Sequence, residues 1–256
     1  MSGEDLGTLL AFFAAMAVMI AYFHGRQRGE DAEDAARARR AEEQLRELKA
    51  AAATLGLAPP QPGVGANPLV THVSSWAIQR IPATLGIGPG GYCEVSARAE
   101  VQGLPDEVTI QPRPRWRDQE DYMIGLAVDS GLAAFDVDYC LYATFDHPGD
   151  ASTFQARARQ VGPRILELIV GCADPSFDLI VTSRGMRLSP SHYLPETRLP
   201  RPRVELTTAD ELVRLWRQME VTVRAGIERG VLRRPQDDGD GGPYDGLLAL
   251  IGRSSP

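Results

Sequence analysis

Cysteine is scarce in this chain and poorly placed for chemistry. Cys93, Cys140 and Cys172 lie far apart and no CxxC occurs. That excludes a local zinc site and a disulfide framework, and it suits reduced thiols. Lysine is nearly missing: of 27 basic residues only Lys49 is one. Acidic residues are spread along the chain and the net charge is −7, so no nucleic-acid partner is expected. The four histidines show no ligand spacing, so no metal is expected. Gly86 to Gly91 reads GIGPGG, which lacks the Lys-Ser/Thr ending of a P-loop and the GxGxxG spacing, and no helix is predicted after it. The sequence therefore assigns no catalytic residue and no cofactor.

Charge is also missing from one place where it matters. Leu6 to Phe23 (LGTLLAFFAAMAVMIAYF) has no charged residue and no proline. As a helix it is roughly 27 Å long, close to the thickness of a bilayer core. A cleaved signal peptide wants a basic leader and a small-residue cleavage site. Here the leader is the acidic MSGED, and the far end is Ala21-Tyr22-Phe23-His24. A single transmembrane helix is the expectation. Arg26, Arg28, Arg37, Arg39 and Arg40 all follow it and no basic residue precedes it. The positive-inside rule then leaves 1–5 as a short translocated end and places the rest in the cytoplasm. The preference for Arg over Lys and the abundant Ala look like a GC-rich bacterial genome, so the expected membrane is the bacterial inner one. Gly7, Ala11 and Ala15 form a small-xxx-small line through which two spans could associate.

Residues 24–57 read as a helical stalk. Glu33–Arg37 and Glu42–Arg46 are i,i+4 pairs, and Ala38, Ala41, Leu45, Leu48, Ala52 and Leu55 follow a 3–4 spacing that could seat a second copy. Residues 58–68 (APPQPGVGANP) read as a stiff linker. A domain over 69–230 follows. Val73 to Ile81 is a weak strand. Cys93 to Val101 alternates, with Cys93, Val95, Ala97, Ala99 and Val101 on one face. Val108 to Trp116 alternates too, and Pro112 and Pro114 point to an edge strand or to the strand's end. Its Arg113, Arg115 and Arg117 share an outer face that could meet lipid headgroups or an acidic partner. Tyr122 to Val128 is a further candidate strand.

Phe135 to Phe145 alternates over the longest run, which predicts a strand near the sheet centre. Asp136 and Asp138 on it form a D-x-D pair, read as solvent-facing carboxylates. Phe154 to Leu168 has helical spacing, kinked or split at Gly162-Pro163. Phe177 to Thr182, Ser183-Arg184-Gly185 and Met186 to Leu188 predict a hairpin. Ser189 to Pro202 is a Pro-rich excursion carrying His192, Glu196 and Arg198. Thr208-x-x-Glu211 is a capping box that opens a helix with Leu212, Leu215, Trp216, Met219, Val223 and Ile227 on one face, ended by Gly230. Residues 231–256 are a flexible tail: acidic and Gly-rich over Pro235 to Gly242, then a short apolar docking segment of Tyr244, Leu247, Leu248, Leu250 and Ile251.

Several of these pieces resemble a family of bacterial membrane-anchored proteins. The likeness rests on Gly131, Phe135-Asp136 with Tyr139, Asp146 to Asp150, Ile165-Leu166-Glu167-Leu168, Phe177 to Leu188, and Leu212 to Ile227, about half the chain. The Gly-Asp usual before the FD pair is replaced by Leu132-Ala133-Ala134. The resemblance implies one or two N-terminal spans and a cytoplasmic α+β domain, and no reaction.

The expected fold is thus α+β: a mostly antiparallel sheet with two main helices over one face. The expected function is a scaffold or assembly component that binds other proteins. A module binding lipid or a small ligand is one alternative. An enzyme whose site gathers scattered residues such as Asp138, Cys140 and His147 is the other.

Overall fold

The structure is a computed structural model that describes residues 16, 19, 33–63, 69–104, 108–112, 130–143, 161–172, 174, 176–191 and 206–234. The predicted span Leu6 to Phe23 lies outside them except for Met16 and Met19, both helical and exposed. No helix among the described residues is long and apolar enough to cross a membrane. The chain divides into two compact units, Met1–Glu43 and Gln44–Pro256. In the first, residues 33–43 are helical and almost wholly exposed, with Arg37 held by Glu33 at 3.4 Å and Asp34 at 3.5 Å.

The second unit is α+β. Its main sheet runs β1(Gln61–Pro62), β2(His72–Ile78), β3(Ile81–Ile87), β4(Cys93–Arg98), then β9(Gly185–Pro190), β8(Phe177–Thr182), β6(Val108–Pro112) and β7(Tyr139–Ala143). Every pairing is antiparallel. A second small sheet joins β5(Glu100–Val101) to β10(Leu232–Arg233). Helix α1 covers 33–55, α2 is Ala133–Asp138, α3 is Pro163–Cys172 and α4 is Ala209–Glu228.

The alternation in β4 sorts its faces as expected. Cys93, Val95 and Ala97 are buried against the helices, and Ala99 and Val101 continue the row into β5. Leu85, Leu188 and Leu179 lie level with Val95 across the sheet. Against this row α4 lays Leu212, Leu215, Trp216, Met219 and Val223, all buried. Thr208 caps α4 by accepting from the Glu211 N–H at 3.3 Å. Pro163 opens α3 at a position that needs no N–H, so Gly162-Pro163 starts a helix here.

One strand position differs from expectation. Phe135 to Asp138 belongs to α2, and among the described residues of the run Tyr139–Ala143 forms the strand, which ends the described sheet instead of centring it. Phe135 and Tyr139 are four apart, both buried and stacked at 5.3 Å, so a spacing of four served the helix period as well as the strand period. β6 lies between β8 and β7, so of the two readings its prolines allowed, an edge strand or the strand's end, the second holds. Pro112 is its last residue, where a missing N–H disturbs the ladder least.

The stalk and linker also differ. Leu48, Ala51, Ala52 and Leu57 are buried in the same core as the sheet. The predicted seam is real from Leu45 to Leu55, but its apolar partner is this domain. The segment after it is not free either. The Ala58 N–H donates to the Ser75 carbonyl at 3.2 Å, and Gln61 and Pro62 pair with Val73 and His72.

Candidate functional site

Many of the residues singled out by sequence lie outside the described residues: Arg113, Arg115 and Arg117, His147, His192, Glu196 and Arg198, and the whole tail segment Tyr244, Leu247, Leu248, Leu250 and Ile251. The others separate. Asp136 accepts the Ser130 N–H at 3.0 Å and so fastens the start of α2. Gly86 and Ile87 of the GIGPGG stretch are inside β3. Gly88 is required by packing, because a Cβ there would collide with the Leu69 carbonyl. Among the described residues no group of three or more His, Cys, Asp or Glu side chains could hold a metal ion.

One carboxylate is drawn into the structure. Glu94 is on the sheet face away from the helices, with its side chain only 9% exposed. The Tyr92 hydroxyl donates to it at 2.6 Å, and the half-exposed Arg187 stands 3.7 Å away. Next to it Thr84 and Ser96 hydroxyls meet at 2.7 Å. Cys93 is buried, while Cys172 at the end of α3 is half-buried. Burial pushes the Cys172 thiol up, and Arg229 nearby offsets part of that rise.

The polar contacts with the longest reach in sequence join α1 to the start of α4. Gln44 is 4% exposed. Its amide meets the Thr207 backbone twice: Nε2 donates to the carbonyl at 3.3 Å, and Oε1 accepts the N–H at 3.0 Å. One turn on, the Glu47 carboxylate accepts the Ala209 N–H at 2.7 Å, supplying an acceptor and a negative charge to the first turn of α4. The Thr207 hydroxyl donates to the Gly91 carbonyl at 2.7 Å, which ties the same point to the β3–β4 turn. Sequence reading missed this latch. Its one signal was polar Gln44 and Glu47 bordering the apolar seam on the Leu48 side.

The opposite end of α4 carries a different charge. Arg98 pairs with Gly185, and the Ser183-Arg184 turn continues along the strand: the Ala99 N–H donates to the Arg184 carbonyl at 3.2 Å, and the Val101 N–H to the Ser183 carbonyl at 2.9 Å. On the other side of β5, Arg233 pairs with Glu100. The β2–β3 hairpin turns at Gln79 and Arg80. Since Ala83 pairs with Ala97, the same register brings Arg80 level with Glu100. Arg80, Arg98, Arg184, Arg233 and Arg234 are all exposed at this end, with the acidic Glu100 paired to Arg233. Gln102 Nε2 donates to Glu100 at 2.7 Å. Close by on β2, level with Ala83, stands Trp76, a large apolar side chain 46% exposed. By contrast Glu47, Asp210 and Glu211 make the start of α4 acidic. These arginines come from four separate turns and strand ends, so nothing in the linear sequence announces them as a group.

No protein family and no curated protein matches the chain. Among solved structures it is similar to the crystal structure of the mycobacterial trehalose monomycolate transport factor A, TtfA. The TM-score is 0.40 at 14% identity, over 71% of this chain and 95% of that one.

Proposed function

We propose that the chain is an assembly component of a bacterial inner membrane, anchored by the single span Leu6 to Phe23, whose cytoplasmic α+β domain and C-terminal tail bind other proteins. The observation that carries this reading is the burial of Leu48, Ala51, Ala52 and Leu57 in the domain core, locked by Gln44 and Glu47. The predicted stalk is thus, from Gln44 on, a structural part of the domain. The uncharged stretch and the arginines that follow it supply the anchor and its orientation.

The test has two arms. Full-length protein should stay with membranes through an alkaline carbonate wash, and protease added to sealed inside-out vesicles should digest the domain. A monodisperse full-length species in a detergent-free high-speed supernatant, or protection in those vesicles, overturns the anchoring or its direction. Affinity purification from detergent-solubilised membranes should recover protein partners. Deleting Tyr244 to Pro256 should reduce that recovery, and unchanged recovery overturns the role given to the tail.

A further inference from the structure

We propose that the chain's own acidic tail, residues 235–251, docks in cis on the arginine-rich end of the domain and covers it until a partner takes its place. The inference rests on the tail being a docking segment, as proposed above, and adds where it rests when no partner is bound. Charge is the first argument. In a chain of net charge −7, one end of the sheet gathers Arg80, Arg98, Arg184, Arg233 and Arg234. Among the described residues Arg80, Arg184, Arg233 and Arg234 enter no ion pair. The tail carries Asp237, Asp238, Asp240 and Asp245, with Arg253 its one basic residue.

Position is the second argument. β10 ends at Arg233, paired with Glu100, so the tail departs from within the arginine cluster. Its acidic stretch begins three residues beyond Arg234 at Asp237. The nine residues 235–243 reach up to about 30 Å when extended. Trp76 lies on β2, two strands from β4, or about 10 Å across the sheet. The aspartates can therefore sit among the arginines while Tyr244, Leu247, Leu248, Leu250 and Ile251 cover the exposed indole.

Cis attachment also sets the strength. A tethered segment competes at an effective concentration on the order of 1 mM, so even a weak contact is mostly occupied and a free competitor is held off. Exposed charge pairs of this kind lose most of their attraction at about 0.5 M salt.

The experiment uses full-length protein in detergent and a fluorescein-labelled peptide of residues 235–256, read by fluorescence polarisation. The variant D237R/D238R/D240R, altered only in the tail, should bind the peptide. The unaltered chain should bind it at least about tenfold more weakly, because its own tail is in place. Adding R80E and R184E, both on exposed turns, to the tail variant should abolish binding, and W76A should weaken it. Three results overturn the proposal: no binding to either protein, equal binding to both, or binding indifferent to R80E and R184E. If the unaltered chain excludes the peptide only at high protein concentration, the tail sits on a second copy and the cis proposal fails. The assay needs neither bilayer nor partner, so a negative result leaves the co-purification test of the proposed function untouched.

Discussion

At the scale of single residues, the contact with the largest expected effect is one amide. Gln44 satisfies a buried backbone donor and a buried backbone acceptor of Thr207 together. Gln44→Ala removes both partners and leaves those groups orphaned, which costs about 2–3 kcal/mol. Urea unfolding followed by circular dichroism should show a lower midpoint with an unchanged slope. Glu47→Gln keeps an acceptor for the Ala209 N–H but removes the charge at the helix start, so it should cost less, about 0.5–1 kcal/mol. Cys172 gives a pH-dependent expectation. Its thiol is raised in the fold by burial, so the folded state holds the proton more tightly than the unfolded chain. The associated stability is therefore complete below the ordinary thiol pKa and lost as pH rises through the raised one. Alkylation of Cys172 at mildly alkaline pH should be slower in the native protein than in urea, read by peptide mass. Equal rates would contradict the burial.

At the scale of elements, α1 decides where the domain begins. A chain starting at Gln44 retains Leu48, Ala51, Ala52 and Leu57, whereas one starting at Leu69 exposes the sheet and α4 surface they cover. The longer chain should unfold cooperatively on heating. The shorter should lose cooperativity or fail to fold, and equal melting of the two would place α1 outside the core. Leu48→Ala in the full chain should cost about 2–5 kcal/mol, the range for a fully buried leucine.

The sequence made some of these elements plain and concealed others, for definite reasons. The capping box and the apolar face of α4 at 3–4 spacing, the alternation of β4 and the β8–β9 hairpin all read correctly, because each carries its signal within a short window. The β2–β3 hairpin did not. It turns at Gln79 and Arg80, with φ of 50° and 67° and neither glycine nor asparagine to mark it. The α2–β7 junction failed because apolar residues four apart satisfy both periods. The seam of α1 was legible as a face, but which surface it would meet depends on residues more than a hundred positions away. The latch and the arginine end share that cause. Both are assembled by long-range pairing, and neither leaves a local motif.

At the scale of the whole molecule, charge is distributed along the α4 axis. Its start is acidic, through Glu47, Asp210 and Glu211, and its far end is basic, through Arg184, Arg229 and Arg233. The acidic start follows the helix dipole, which favours anions at the first turn, whereas the last turn itself holds no basic residue and ends on Glu228, with Arg229 just after it. The net charge of −7 hides this separation, since it sums over the tail and both ends. A whole-chain charge argument gives no reason to expect a polyanion as a general partner, yet it leaves room for one small surface that attracts acidic peptide.

Gln44 and Thr207 are 163 positions apart. A ribosome adding about 5–20 residues per second needs roughly 8–30 s between the two. During that interval the greasy side of α1 is already made and its cover is not. Newborn chains then have a window in which that side can stick to a neighbour, a chaperone or the bilayer surface. The window closes only when α4 emerges and its first turn finds the waiting glutamine and glutamate.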